Sequence, residues 1–248
     1  MSLDPRQARA WQRLGLGPVW AVRAAAPSAD TSGRVDAAMA APIPGAGAVA
    51  DMDWDVLQDA VAACTACALC KTRTQTVFGV GSRTSEWMLI GEAPGAEEDL
   101  RGEPFVGQAG RLLDAILATA GLDRSGSAQS AVYIANVLKC RPPANRNPEP
   151  EEVARCEPFL RRQIELLAPR IILVMGRFAA QALLGTDASI ASLRGRAHRI
   201  DVAGTALPVI VTYHPAYLLR NLADKAKVWS DMCLAREVLE QAKRGRWS

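Results

Sequence analysis

WMLIGEAPG, residues 87–95, is a short apolar run closed by Gly91 and followed by a turn in which Pro94 and Gly95 stop the strand from continuing. Three further runs share the form: VYIAN at 132–136, IILVM at 171–175 and LPVIVTY at 207–213. Each is continuously apolar rather than alternating, as strands buried on both faces are. Helical spacing fills the intervals, at Gly110 to Ala120, at Glu151 to Leu167 between Pro150 and Pro169, and at Ala179 to Leu184; a closing helix runs from about Lys225 to Lys243. Repeated strand–helix units define an α/β fold, a parallel sheet of four strands covered on both faces.

The chain has 248 residues, enough for one well-filled domain and an appendage. Residues 5–23 read as a short amphipathic helix. Residues 24–50, dominated by Ala, Pro, Gly and Ser, bury too little to offset chain entropy and read as a linker. The organisation is therefore a 1–50 extension and a 51–248 globular unit. Lys and Arg number 29 against 26 Asp and Glu, so net charge alone, +3, does not argue for nucleic acid; local patches must carry that argument. Six cysteines without a secretory signal, and no long uncharged apolar run, indicate a soluble protein of a reducing compartment, the cytoplasm, with no membrane partner.

In an open parallel sheet, ligands bind beyond the carboxyl ends of the strands. Glu92 follows the first strand, Asn136 ends the second and His214 follows the fourth. Singly they read as a turn carboxylate, a strand-end turn former and a packed residue before proline, but their convergence on one sheet edge favours a site. GEAPG lacks G-x-G-x-x-G and G-x-x-x-x-G-K, which argues against dinucleotide and triphosphate binding. Phe105, between Pro104 and Gly107, is a stacking surface for a planar base or a cap on the core. Lys139, Arg141 and Arg146 form one basic cluster, and Arg194, Arg196 and Arg199 a second, either one suited to phosphate contacts. In HPAYLLR, 214–220, Leu218 and Leu219 before Arg220 are either a wedge for a base stack or a short helix burying its leucine pair.

Cys64 and Cys67 are spaced C-x2-C, and Cys140 and Cys156 C-x15-C. Four converging thiols suit structural zinc or a 4Fe–4S cluster; the open second pair, with Arg-Pro-Pro after Cys140, favours the cluster. Cys70 offers a further thiol in C-x2-C-x2-C. Cys70 and Cys233 read as free cysteines, Cys233 on the inner face of the closing helix.

CTAC at 64–67, TVFGVG at 76–81, GEAPGAEEDLRGEPFVGQAGRLLD at 91–114, YIANVLKCRPPANRNPEPEE at 133–152 and HPAYLLR make the chain resemble the family-4 uracil-DNA glycosylases, from about Asp51 to Lys243. The resemblance implies a three-layer α/β/α domain with a four-stranded parallel sheet. It implies a monomer that removes uracil from single- or double-stranded DNA and leaves an abasic site. It assigns a 4Fe–4S cluster to Cys64, Cys67, Cys140 and Cys156. Phe105 would stack on uracil, Asn136 read its edge and His214 face its O2, with Glu92 and the Ala93 backbone lining the pocket and Glu98 near the C5 side. His214 and Glu92 are the catalytic candidates, and Leu218, Leu219 and Arg220 the DNA contacts. With only His198 and His214, and no basic insertion between GEAPG and PFVG, a covalent-capture variant is rejected. The competing classes are a glycosylase for deaminated purines and a cluster-bearing redox protein.

Overall fold

The computed structural model describes residues 49–126, 130–245 and 247. The expected helix at 5–23 and the linker, save residues 49 and 50, lie outside them. Six strands form one sheet: β1 (Val80–Gly81), β2 (Trp87–Gly91), β3 (Val132–Asn136), β4 (Ile171–Met175), β5 (Ala197–Val202) and β6 (Thr205–Thr212), in the order β1-β3-β2-β4-β6-β5. The four apolar runs are the parallel centre, β3-β2-β4-β6. The four-stranded expectation omits two antiparallel edges, β1 and β5. β1 has only two residues, and β5 (AHRIDV) is largely exposed, so neither carries an apolar run that a buried-strand pattern would detect. β5 and β6 are joined through Ala203 and Gly204, both at positive φ, the backbone of a two-residue hairpin turn.

The helices are α1 (Trp54–Ala62), α2 (Ala96–Arg101), α3 (Gln108–Thr119), α4 (Pro150–Leu167), α5 (Arg177–Leu184), α6 (Ile190–Leu193), α7 (Pro215–Leu218) and α8 (Lys225–Lys243). Because side chains alternate along a strand, each strand feeds two cores. Leu89, Ile134, Leu173 and Ile210 join α3, α7 and α8 through Leu113, Leu117, Leu218 and Met232. Ile90, Ala135, Val174 and Val211 face the other way, onto α4, α5 and α6 through Leu160, Ile164, Ala180 and Leu193. The result is three layers. α1 lies outside α4, with Leu57 and Val61 against Phe159 and Phe78. The inward face of α8 is Val228, Asp231, Met232, Ala235, Val238 and Leu239; Cys233 is exposed, contrary to the sequence expectation.

The chain winds from β2 to β3 on one side and then crosses to β4 on the other, so winding reverses at β2. Connections there leave toward opposite faces and open a crevice at the carboxyl edge of the sheet. Among the described residues no helix is long and apolar enough to cross a membrane.

Arg194, read from sequence as a phosphate contact, is committed elsewhere. Its guanidinium pairs with Asp231 of α8 at 2.7 Å, Thr212 Oγ1 donates to the same carboxylate at 2.6 Å, and the two charged side chains are 11% and 1% exposed. Removing one member of such a pair strands a buried charge. Arg194→Ala should therefore lose about 3–5 kcal/mol of unfolding free energy in urea titrations. Arg194→Met combined with Asp231→Leu should recover most of that loss.

Candidate functional site

The crevice holds a cleft of about 460 Å³ whose lining includes Glu92, Ala93, Glu98, Phe105, Asn136, His214 and Arg220. Every pocket residue expected from sequence thus borders one cavity. Gly91 and Asn136 are register partners at the ends of β2 and β3, and the ladder runs on, Val137 N–H donating to Gly91 O and Leu138 N–H to Glu92 O. A Cβ on residue 91 would collide with Asn136 Oδ1 and the ring of Phe105. Only glycine lets the two side chains close over the strand end.

Asn136 is 2% exposed, and its Oδ1 is buried with no hydrogen-bond partner. Buried acceptors are almost always satisfied, so an orphan that borders a cleft marks the site of a missing donor. Phe105 is 6% exposed and has φ 56°, a left-handed backbone that a bulky side chain rarely adopts. Two devices hold it there. Arg124 donates to the carbonyls of Pro104 and Phe105 at 3.0 Å each and pairs with Asp114. Glu98 accepts the N–H groups of Gly95, Val106 and Gly107 at 3.1 to 3.3 Å, tying the two loops that flank the ring. The Glu98 carboxylate is therefore a loop clamp as well as a lining group. Arg124 was not singled out from sequence, because an arginine between two loops carries no local signal of what it will bridge.

His214 is the N-cap of α7, and its Nδ1 accepts the N–H of Ala216 at 3.1 Å. An accepting Nδ1 puts the ring proton on Nε2. Burial pushes the imidazole down to about 4, opposed by the Glu98 carboxylate, so the ring is neutral near pH 7 with a single N–H to offer. It lies 5.4 Å from the Phe105 ring, centroid to centroid. Burial raises the Glu92 carboxyl above its usual range, with Arg177 opposing.

The HPAYLLR segment divides its leucines. Leu218 is fully buried in the core, which removes it from the DNA contacts expected from sequence; Leu219 is 41% exposed, and Arg220 is exposed and lines the cleft. Adjacent residues of a helical turn stand about 100° apart, so one leucine faces in and the next faces out. Of the basic residues, Arg146 lines the cleft beside Asn145 and Asn147 while pairing with Glu152 at 2.6 Å. Arg194, Arg196 and Arg199 do not line it, and Lys139 is buried.

Among the described residues, no three His, Cys, Asp or Glu are gathered tightly enough for a single metal ion. The four expected thiols are nonetheless neighbours. Cys67, Cys140 and Cys156 pack around Leu138 and Leu69, and Cys64 lies within electrostatic reach of the other three. Burial pushes the thiols of Cys140 and Cys156 up to about 11 and about 12, opposed by Arg73 and Lys139 respectively. Donors already point at the sulfurs: Arg73 Nη1 to Cys140 at 3.0 Å, Lys139 N–H to Cys156 at 3.3 Å and Ala66 N–H to Cys64 at 3.5 Å. Thiols ringed by cations and N–H groups fit anionic sulfur around a group wider than one ion. Cys70, in the 3-10 turn Ala68–Lys71, neighbours Cys67.

A sheet-edge cleft with an unpaired carboxamide oxygen, an aromatic ring and a neutral histidine suits one planar, hydrogen-bonding group. The family model for the uracil DNA glycosylase superfamily matches residues 78–233. The type-4 uracil-DNA glycosylase of Archaeoglobus fulgidus is 45% identical over 169 residues, 66% of this chain and 82% of that protein. The type-4 enzyme of Thermotoga maritima is 42% identical over 193 residues, 77% and 92% of the two chains. A type-5 uracil-DNA glycosylase of Thermus thermophilus is 33% identical over 181 residues, 68% and 79%. The chain belongs to the uracil DNA glycosylase superfamily, in its type-4 branch.

Nitrogen-15 NMR should find His214 neutral and protonated on Nε2 from about pH 8 to about pH 5, with imidazolium forming only near pH 4. The unfolded chain takes up this proton near pH 6.5 and the folded chain only near 4, so folding loses stability as pH falls through that window.

Proposed function

We propose that the enzyme draws uracil out of DNA, single- or double-stranded, and hydrolyses its N-glycosidic bond to leave an abasic site. The observation that carries this reading is the unpartnered Asn136 Oδ1 in the cleft. Uracil presents an N3–H donor and an O4 acceptor; the Asn136 carboxamide offers the matching acceptor and donor. Cytosine presents the reverse and would leave both groups unpaired, which gives discrimination of about 10⁴ where a site requires the bonds. Phe105 stacks on the base.

Reaching the bond requires rotating the nucleotide out of the stack, at a cost of a few kcal/mol. Leu219 fills the gap left behind and Arg220 holds a phosphate; these contacts offset the cost. Bond cleavage then separates a cation-like sugar from a uracil anion. A neutral Nε2–H of His214 aimed at O2 stabilises that anion as its charge develops, and being fixed beforehand it needs no reorganisation. Glu92, whose buried carboxyl has gained proton affinity, orients the attacking water. Cys64, Cys67, Cys140 and Cys156 would hold a 4Fe–4S cluster, which supplies a cross-link among the segments behind the cleft.

Single-turnover assays on uracil-containing oligonucleotides test this. His214→Ala should cut the rate by about 10²–10³ with DNA affinity retained. Asn136→Asp, which replaces the amide donor with an acceptor, should lose most uracil excision; undiminished activity would refute the base-reading role. The purified protein should be brown and contain about four iron and four sulfide per chain. Zinc without visible absorption would overturn the cluster.

A further inference from the structure

Lys139 heads the fully buried side chains by size, yet it carries an amine at its tip. Nζ donates to the backbone carbonyl of Asn136 at 2.8 Å and to Gln163 Oε1 at 2.6 Å. Gln163, itself fully buried on α4, donates in turn to Phe78 O and Tyr133 Oη. No carboxylate pairs with Lys139 among the described residues. Its own backbone N–H donates to Cys156 Sγ. A buried amine is costly unless its hydrogen bonds are made. The residue therefore meets Cys156 Sγ through its backbone and the last peptide of β3 through its side chain.

We propose that Lys139 is a positioning residue for the reaction: its Nζ bond to the Asn136 carbonyl, braced by Gln163, holds the Asn136 peptide in the plane that aims the carboxamide at the base. The inference rests on the reading of Asn136 as base reader. Among the described residues Asn136 Oδ1 has no hydrogen-bond partner, so the position of that oxygen follows from its backbone. The anchors on that backbone are the ladder bond from Val137 N–H to Gly91 O and the Lys139 bond to Asn136 O.

The test is Lys139→Met in the iron-loaded protein, which keeps the stem and removes the charge. Iron per chain, single-turnover uracil excision and affinity for DNA bearing a tetrahydrofuran abasic analogue are measured together. Excision should fall about 10- to 100-fold, the scale for misplacing a reacting group by a fraction of an ångström to one ångström. Abasic-analogue affinity, which needs no base reader, should stay within about twofold of wild type. Unchanged excision, or parallel loss of excision and abasic binding, overturns the proposal. If Lys139→Met does not retain iron, Gln163→Met decides: it leaves the charge but removes one anchor, and should lower excision about severalfold with abasic binding kept. Full excision in that variant sinks the idea. Failure of the underlying reading looks different: Asn136→Asp with full uracil excision.

Discussion

Pairing Gly91 with Asn136 at the ends of two adjacent parallel strands puts a residue without a side chain next to one with a carboxamide, and the remainder of the cleft is arranged around that difference. The absent Cβ is the space into which the Phe105 ring and Asn136 Oδ1 both reach. Phe105 must leave the ordinary backbone regions to get there. A left-handed phenylalanine costs of order 1–3 kcal/mol and persists only where its surroundings over-determine it. Arg124 and Glu98 do so by satisfying the carbonyls and N–H groups of the loop from opposite sides.

The electrostatics sort into two zones. On the cleft side, burial keeps His214 neutral and raises the Glu92 carboxyl, so both groups are held back from the charged form. Behind β3, burial raises the thiols while Arg73 and Lys139 draw them toward the anion. One side of the strand end disfavours charge on its own groups. On the other, cations oppose burial without overcoming it. Leu138 and Ala93 pack with the thiols, and Ala93 also lines the cleft.

What the sequence made legible follows from which physics is local. The four central strands were readable because burial on both faces imposes unbroken apolar runs; the edge strand β5 was not, because half of its surface meets water. Glu92, Asn136 and His214 were readable because the rule placing ligands at carboxyl ends of parallel strands needs only order along the chain. Lys139 and Arg194 misled: a basic side chain just past the end of an element looks the same whether it reaches solvent or turns inward to Gln163 or Asp231. The partner that decides is 24 residues away in one case and 37 in the other. Leu218 and Leu219 failed for a finer reason, since the sequence offered a wedge or a buried pair and the single turn of α7 made one leucine of each kind.

That division of the leucines has a geometric consequence. Leu218 is locked into the core beneath the cleft, and the exposed Leu219 follows it directly, while His214 caps the same turn at its start. The side chain that would enter the DNA stack and the one that would meet the extruded base therefore ride on a single rigid turn. If both side chains act as proposed, depth of insertion and reach to the base form one gauge: a strand seated against the first would be measured by the second, because both stand on the same hydrogen-bonded turn.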